Sequence, residues 1–222
     1  FYLSAGWQEM DGAGIDVREF WRDAVIRACL GRRLAQCAGY QPREEAFLAG
    51  MLLEIGTLIL GTHFGEEYAL LLRITSGAKR ERINAERSRF HIDHVEMAQS
   101  LCVRWNFPEA MIGAIGRQCN PPAPQRSSDP AALLAQIAYF CANIPFSVDQ
   151  QTARVGDELR NLAYGGFELS FEGLSDVFTD AVEQFNALRS VFANLIAHDC
   201  NVEVLMEQAR NLIAESTTVI NE

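Results

Sequence analysis

The sequence predicts an all-α protein, a multi-helix bundle with extra helices at its C-terminal end. Apolar residues recur with the 3.6-residue period of amphipathic helices along most of the chain, whereas the two-residue alternation of β-strands is almost absent. Of the 222 residues, 49% are hydrophobic, which is enough to build one large packed core. We find no internal repeat, so a single helical bundle is favoured over a repeat architecture.

The first two helices are the most clearly marked. Asp16 can cap the first helix, and Gly39 ends it. Pro42 suits the first turn of a second helix, which we expect to run without interruption to about Gly61. Because this second helix is apolar nearly all round between residues 47 and 60, we expect it to lie at the centre of the bundle.

The remaining helices follow in shorter steps, and the clearest loop is 120–130, "NPPAPQRSSDP". Helices are predicted over residues 65–76, 79–88, 91–105, 108–117 and 130–144. The last third holds a helix near 149–163, a Gly-rich turn, and two further helices. We place a boundary near 145–150, between a helical domain of residues 1–145 and an extension of residues 146–222 packed on it.

Three phenylalanines, Phe178, Phe185 and Phe192, share one face of a C-terminal helix. An apolar face of this size has to be buried. We expect it to pack on the bundle, while pairing with a second copy in a homodimer remains an alternative.

Charge, cysteine content and hydropathy exclude several classes of protein. A net charge of -10 and a pI near 4.9 argue against nucleic-acid binding, which requires a basic surface. The six cysteines include no CxxC pair, and we interpret them as buried thiols of a cytoplasmic protein. No apolar run reaches the roughly 20 residues of a membrane span. Because the chain starts without Met, we expect it to be a piece of a longer protein.

Four phrases, in order, resemble a known family. They are "EFWRDAVIRA" (19–28), "AFLAGMLLEIGTLIL" (46–60), "DHVEMAQSLCVRWNFPEAMIGAI" (93–115) and "LLAQIAYFCANI" (133–144). Together they resemble the HDOD domain, a bacterial signalling module related to the HD phosphohydrolase superfamily. The resemblance implies a non-catalytic output or scaffold role, with protein partners or fused receiver, phosphodiesterase or cyclase modules.

The parent superfamily uses His and Asp side chains to hold metal ions that activate water and neutralise phosphoryl oxygens. Where the resemblance implies Leu-His-Asp-Ile-Gly, this sequence has Leu-Leu-Glu-Ile-Gly at 52–56. Leucine has no lone pair for a metal, so we expect no enzyme activity, no metal and no cofactor. The resemblance places a vestigial pocket at Asp23, Leu53, Glu54, His94, Gln118 and Cys119.

Two alternatives stay open. A divergent phosphohydrolase or metal-dependent oxygenase would need three acidic or His side chains to converge, drawn from Asp23, Glu54, His91, Asp93 and His94. A nucleotide-binding sensor would instead use the vestigial cleft without cleaving its ligand.

Structural interpretations of the same residues are simpler. Glu54 lies in an apolar helix and should be costly unless a hydrogen bond or ion pair holds it. His91 and His94 suit the start of a helix better than a metal, and Asp93 suits the first turn. The basic stretch 79–89, "KRERINAERSR", is typical of a solvated, ion-paired helix face, although a phosphate-binding patch remains conceivable.

Overall fold

The computed structural model describes residues 15–75, 79–144, 152–192 and 201–215. Within these ranges every regular element is helical, so the prediction of an all-α bundle is confirmed. In chain order the helices are α1 Val17–Ala38, α2 Arg43–Leu52, α3 Ile55–Phe64, α4 Glu66–Ile74, α5 Lys79–Phe90, α6 His94–Arg104, α7 Glu109–Gly116, α8 Pro130–Ala142, α9 Thr152–Asn161, α10 Phe171–Leu188 and α11 Val202–Glu215.

Helix α1 begins and ends as its sequence predicts. The Asp16 carboxylate accepts hydrogen bonds from the backbone amides of Arg18 and Glu19, at 2.9 and 3.0 Å. These bonds satisfy amides that have no partner within the helix. Gly39 ends the helix with a φ of 70°, a left-handed conformation that glycine adopts without steric cost.

The apolar segment after Pro42 is two helices, so the prediction of one uninterrupted helix was wrong. The chain turns at Leu53 and Glu54, and α3 starts at Ile55. Pro42 itself precedes the first turn of α2. At this break the Glu54 carboxylate is ion-paired with Lys79 and Arg82 of α5, which is the pairing that a buried carboxylate requires.

Gly56, in the first turn of α3, allows this turn to lie against the start of α6. A Cβ atom at position 56 would stand 1.9 Å from the carbonyl oxygen of His94. Real Cβ atoms do not approach an oxygen so closely, so only glycine permits this contact.

The segment Arg43–Phe64 is long and apolar enough, by length and composition, to cross a membrane. Most of it is nevertheless buried inside the bundle, and Glu54 interrupts it. The core helix of a soluble protein passes the same test, so the feature is weak support for a membrane span.

The core is formed around α1, α2 and α8. Every residue of α8 from Leu133 to Ala142 is buried. Helix α1 packs against α2, α8 and α10, and α11 packs against α9 and α10. Buried side chains of α1, α2, α3 and α6 through α11 belong to one continuous apolar cluster, to which α4 and α5 contribute none of the described residues.

The C-terminal helices share this core. Phe178 and Phe185 are buried, and an ion pair of 2.5 Å joins Arg33 Nε of α1 to Asp180 Oδ2 of α10. The predicted boundary at 145–150 lies outside the described residues, so the division into residues 1–145 and 146–222 stays a prediction.

Candidate functional site

An arginine that is only 14% exposed, Arg82 of α5, lies at the polar centre of the fold. Its Nε donates to Glu86 Oε1 at 2.9 Å, and its Nη1 donates to Glu54 Oε2 at 3.3 Å. Its Nη2 donates to the Tyr68 hydroxyl at 2.9 Å and also to Thr57 Oγ1. One guanidinium therefore holds oxygen atoms from the α2–α3 turn, from α3, from α4 and from its own helix.

The local sequence explains how these side chains meet. The break before α3 turns Glu54 inward, and Thr57, three residues later, donates to its Oε2 at 2.7 Å. Arg82 and Glu86 are four residues apart, the spacing that places two side chains on one face of a helix. The Tyr68 hydroxyl donates to Glu86 Oε1 at 2.6 Å, which ties α4 to α5.

Helix α6 adds His94 through a capping box at its start. Asp93 Oδ1 accepts from the amides of Val95 and Glu96, each at 2.8 Å, and the Glu96 carboxylate accepts from the Asp93 amide at 3.2 Å. The next residue, His94, is fully buried. Its backbone N–H lies 3.0 Å from Glu86 Oε2, and its Nδ1 lies 2.6 Å from the same atom. Hydrogen bonds join six side chains into one group, the Arg82 cluster: Glu54, Thr57, Tyr68, Arg82, Glu86 and His94.

Within the Arg82 cluster, the pKa shifts of Glu54, Glu86 and Arg82 all favour the ionised forms. Burial alone would raise the pKa of Glu86, but the His94 hydrogen bond and the Arg82 charge outweigh it and hold the pKa at about 2. Burial likewise opposes ionisation of Glu54, yet Arg82, Lys79 and His94 bring its pKa well below the ordinary value. The same carboxylates raise the pKa of Arg82 against the effect of burial.

Of the predicted vestigial pocket, Leu53, Glu54, His94 and Gln118 come together. Gln118 Nε2 donates to the Leu53 carbonyl at 2.8 Å, and both residues are fully buried. Cys119 lies beside them, because Lys79, Glu54 and Arg82 are its charged neighbours. Burial raises the pKa of its thiol, which disfavours the reactive thiolate.

The described partner of Asp23 is a residue of its own helix. Its carboxylate pairs with the adjacent Arg22, at 2.7 Å from Nε to Oδ1. The charged groups that act on Glu54 are Arg82, Lys79, His94 and Arg27. Among the contacts described, none joins Asp23 to the Arg82 cluster, so its assignment to the pocket gains no support.

The basic stretch 79–89 was misinterpreted at its most important positions. Arg87 and Arg89 are exposed and ion-paired, as expected for a solvated face. Arg82 is 14% exposed and Glu86 is fully buried, so the prediction was wrong for them. Only their four-residue spacing could have indicated a shared inward face. Tyr68 and Thr57 were missed because no local pattern marks them.

His91 and His94 face different environments, although they lie three residues apart. His91 is exposed, with a φ of 61°, and precedes α6, whereas His94 is buried within the first turn. The interpretation of a helix start with a hydrogen-bonded histidine is therefore confirmed for His94. Asp93 is the residue that caps this helix.

The metal ions that the superfamily implies do not fit these side chains. Potential ligand atoms of Glu86, Asp93 and His94 lie within 4.8 Å of one another. Both Glu86 oxygens are, however, engaged by Arg82, Tyr68 and His94. Asp93 Oδ1 caps α6 and Oδ2 lies 2.7 Å from Arg87 Nε. This leaves His94 Nε2 as the one potential ligand atom of the three residues that is neither hydrogen-bonded nor ion-paired, and metal sites need three or more ligands.

A separate cavity of about 600 Å³ opens between the 117–127 loop and α8. Its polar lining includes Arg117, Asn120, Arg126 and Gln136. None of the vestigial-pocket residues lines it, so this cavity does not support the alternative of a nucleotide sensor built on the old cleft.

Comparison with known proteins identifies the family. The HDOD domain profile matches residues 2–121. This chain belongs to the HDOD family. The comparison with curated proteins gives no match.

Solved structures agree with this assignment. The MmoQ response regulator from Methylococcus capsulatus str. Bath is 25% identical, with a TM-score of 0.55 over 69% of this chain and 60% of that chain. A candidate phosphohydrolase from Shewanella amazonensis SB2B is 20% identical, with a TM-score of 0.50 over 91% of this chain and 65% of that chain. The second similarity shows the fold alone. The chain thus spans less than two thirds of the length of either protein.

Proposed function

We propose that this HDOD domain is a non-catalytic output or scaffold module of a bacterial signal-transduction protein, acting through contacts with other protein domains. One observation carries the proposal. Leu53, an alkyl side chain, stands where the resemblance places the imidazole of the His-Asp pair, and the largely buried Arg82 guanidinium bonds to Glu54 at the aspartate position.

The chemistry supports this proposal. A metal ion promotes phosphoester hydrolysis by lowering the pKa of a bound water and by neutralising the phosphoryl oxygens. A guanidinium has no vacant orbital with which to bind water as a Lewis acid. The donors of Arg82 are also directed at protein oxygens, on Glu54, Thr57, Tyr68 and Glu86, so they are not available to a substrate phosphate.

The family and the charge favour protein partners. The similarity to a response regulator supports a module that works next to a receiver domain, and phosphodiesterase or cyclase modules are equivalent candidates. The net charge of -10 disfavours nucleic acid as the partner. The five described cysteines are free, which supports a cytoplasmic location.

A hydrolysis assay tests the proposal. The purified chain is incubated with a phosphomonoester, a phosphodiester and cyclic dinucleotides, in the presence of Mn²⁺, Mg²⁺ or Fe²⁺. We expect no turnover above that of the Glu86→Gln variant, which serves as the matched control for contaminating enzymes. Metal-dependent turnover by the wild type that disappears in Glu86→Gln would overturn the proposal in favour of a divergent hydrolase.

A further inference from the structure

The arrangement around Arg82 has the form of a cation site whose cation is part of the chain. We infer that the Arg82 guanidinium is a built-in substitute for a divalent metal ion, and that removing it opens a divalent-cation site. Arg82 contacts Glu54, which stands at the aspartate position of the superfamily's His-Asp pair.

The charges around Arg82 support this inference. Glu54 and Glu86 are two carboxylates buried in the same cluster, and isolated buried carboxylates are strongly unfavourable. Arg82 pairs with both, at 3.3 and 2.9 Å, and Lys79 Nζ lies 3.5 Å from Glu54 Oε1. Arg82 supplies one of the two positive charges that face these carboxylates and Lys79 supplies the other, so removing Arg82 leaves the two carboxylates with a net negative charge that a cation would offset.

The atoms around the guanidinium are of the kind that bind divalent cations. All four of its side-chain partners are oxygen atoms, two from carboxylates and two from hydroxyls, and they belong to Glu54, Glu86, Thr57 and Tyr68. Carboxylate and other oxygen donors are the ligands that Mg²⁺ and Mn²⁺ prefer. Arg82 therefore takes the place of a hard cation among hard ligands.

His94 contributes a ring nitrogen that has no hydrogen-bond partner among the described residues. Its Nδ1 lies 2.6 Å from Glu86 Oε2, and a carboxylate oxygen accepts, so Nδ1 donates this bond and Nε2 is the ring nitrogen left for another partner. Nε2 is buried and has no hydrogen-bond partner among the described residues. A histidine whose other nitrogen is held by a carboxylate is the usual form of a metal-binding imidazole. The cluster therefore keeps a nitrogen ligand that the guanidinium cannot use, because Arg has only donors.

Mn²⁺ binding to an Arg82→Ala variant tests the inference. We expect the wild type to bind no stoichiometric Mn²⁺ by calorimetry and to keep its melting temperature in EDTA. Arg82→Ala should bind about one Mn²⁺ per chain, and Mn²⁺ at 100-fold its dissociation constant should raise the melting temperature by about 5 °C. Arg82→Lys is the matched control: it keeps the positive charge and should bind no Mn²⁺.

Arg82→Gln covers the case in which Arg82→Ala does not fold in metal-free buffer, because it removes the charge but keeps a polar side chain with two N–H donors. Each variant is refolded with and without Mn²⁺ and followed by circular dichroism. Binding of Mn²⁺ to a folded variant, or recovery of helicity that requires Mn²⁺, supports the inference. Failure of Mn²⁺ to bind or to rescue both variants overturns it, as does stoichiometric Mn²⁺ in the wild type. These readouts do not depend on hydrolysis, so they are separable from the test of the proposed function.

Discussion

Helices α8 and α5 belong to the same bundle but are held in it by opposite means. All ten residues of α8 from Leu133 to Ala142 are buried, and nine of them are apolar or aromatic. In α5, Glu86 is the one buried residue of twelve. Apolar burial is non-directional and tolerant of small shifts, whereas the bonds of α5 require particular atoms in particular charge states. Consequently the position of α8 depends on its apolar content, whereas the position of α5 depends on its hydrogen-bonded and ion-paired partners and on pH.

The largest effect is expected from the apolar side of this comparison. Phe140 of α8 is fully buried and packs edge-on against Phe167, with ring centroids 5.7 Å apart. Phe140→Ala should lower the free energy of unfolding by about 4 kcal/mol, because it removes buried apolar contact and leaves a cavity. Urea denaturation at pH 7 measures this loss. A cost below about 1 kcal/mol would show that α8 is less central than its burial indicates.

The next effect, at Glu86, should depend on pH. Glu86→Gln keeps the side-chain shape but removes the charge that Arg82 and His94 contact, and should cost about 3 kcal/mol at pH 7. The pKa of Glu86 is lowered from 4.5 to about 2 on folding. Its stabilising contribution is therefore complete above pH 5 and is lost as the pH falls towards 2.

Denaturation of the wild type, Glu86→Gln and Phe140→Ala at a series of pH values tests this difference. Between pH 6 and pH 2 the wild type should lose about 3 kcal/mol more than Glu86→Gln. Phe140→Ala should keep the acid sensitivity of the wild type, because it leaves the Arg82 cluster intact. Equal slopes for the wild type and Glu86→Gln would contradict the assignment of acid sensitivity to α5.

A smaller effect is expected at the start of α6. Asp93→Ala removes the oxygen that accepts from the Val95 and Glu96 amides, and should cost about 1–2 kcal/mol. Asp93→Asn keeps a capping oxygen and should recover most of this loss. If both variants are destabilised equally, the ion pair with Arg87 matters more than the cap.

The smallest effect is expected on the exposed face of α5. Arg89 pairs with Glu67 of α4, and both side chains are more than 40% exposed. Arg89→Ala should change the free energy of unfolding by less than about 0.5 kcal/mol, because solvent screens such pairs. A larger loss would mean that α5 is held by its surface charges as well as by the Arg82 cluster.

The fold could be predicted because apolar periodicity and capping residues are local signals. Asp16 and Gly39 bound α1 without reference to any other helix. The break at Glu54 could not be predicted in this way, because the partner of Glu54 there, Arg82, lies 28 residues later in the chain. The Arg82 cluster could not be predicted from the sequence either. A charged residue in a charged stretch such as 79–89 is normally solvated, and only tertiary contacts show that Arg82 points inward.

The candidate site was half predictable for the same reason. The resemblance to the HDOD domain grouped Leu53, Glu54, His94 and Gln118, because it carries three-dimensional information that a single sequence lacks; in the structure Gln118 bonds to Leu53 and His94 acts on Glu54. It assigned no role to Tyr68 or Thr57. These residues bind the guanidinium, and the resemblance describes only the ligand positions of the parent superfamily.

Gly56 has a mechanical consequence for a signalling domain. Because α3 and α6 meet there through backbone atoms, no side-chain rotamer lies between them that could absorb a small displacement. A displacement of the start of α6 would therefore reach the first turn of α3 directly, next to Glu54 and its bond to Arg82 of α5.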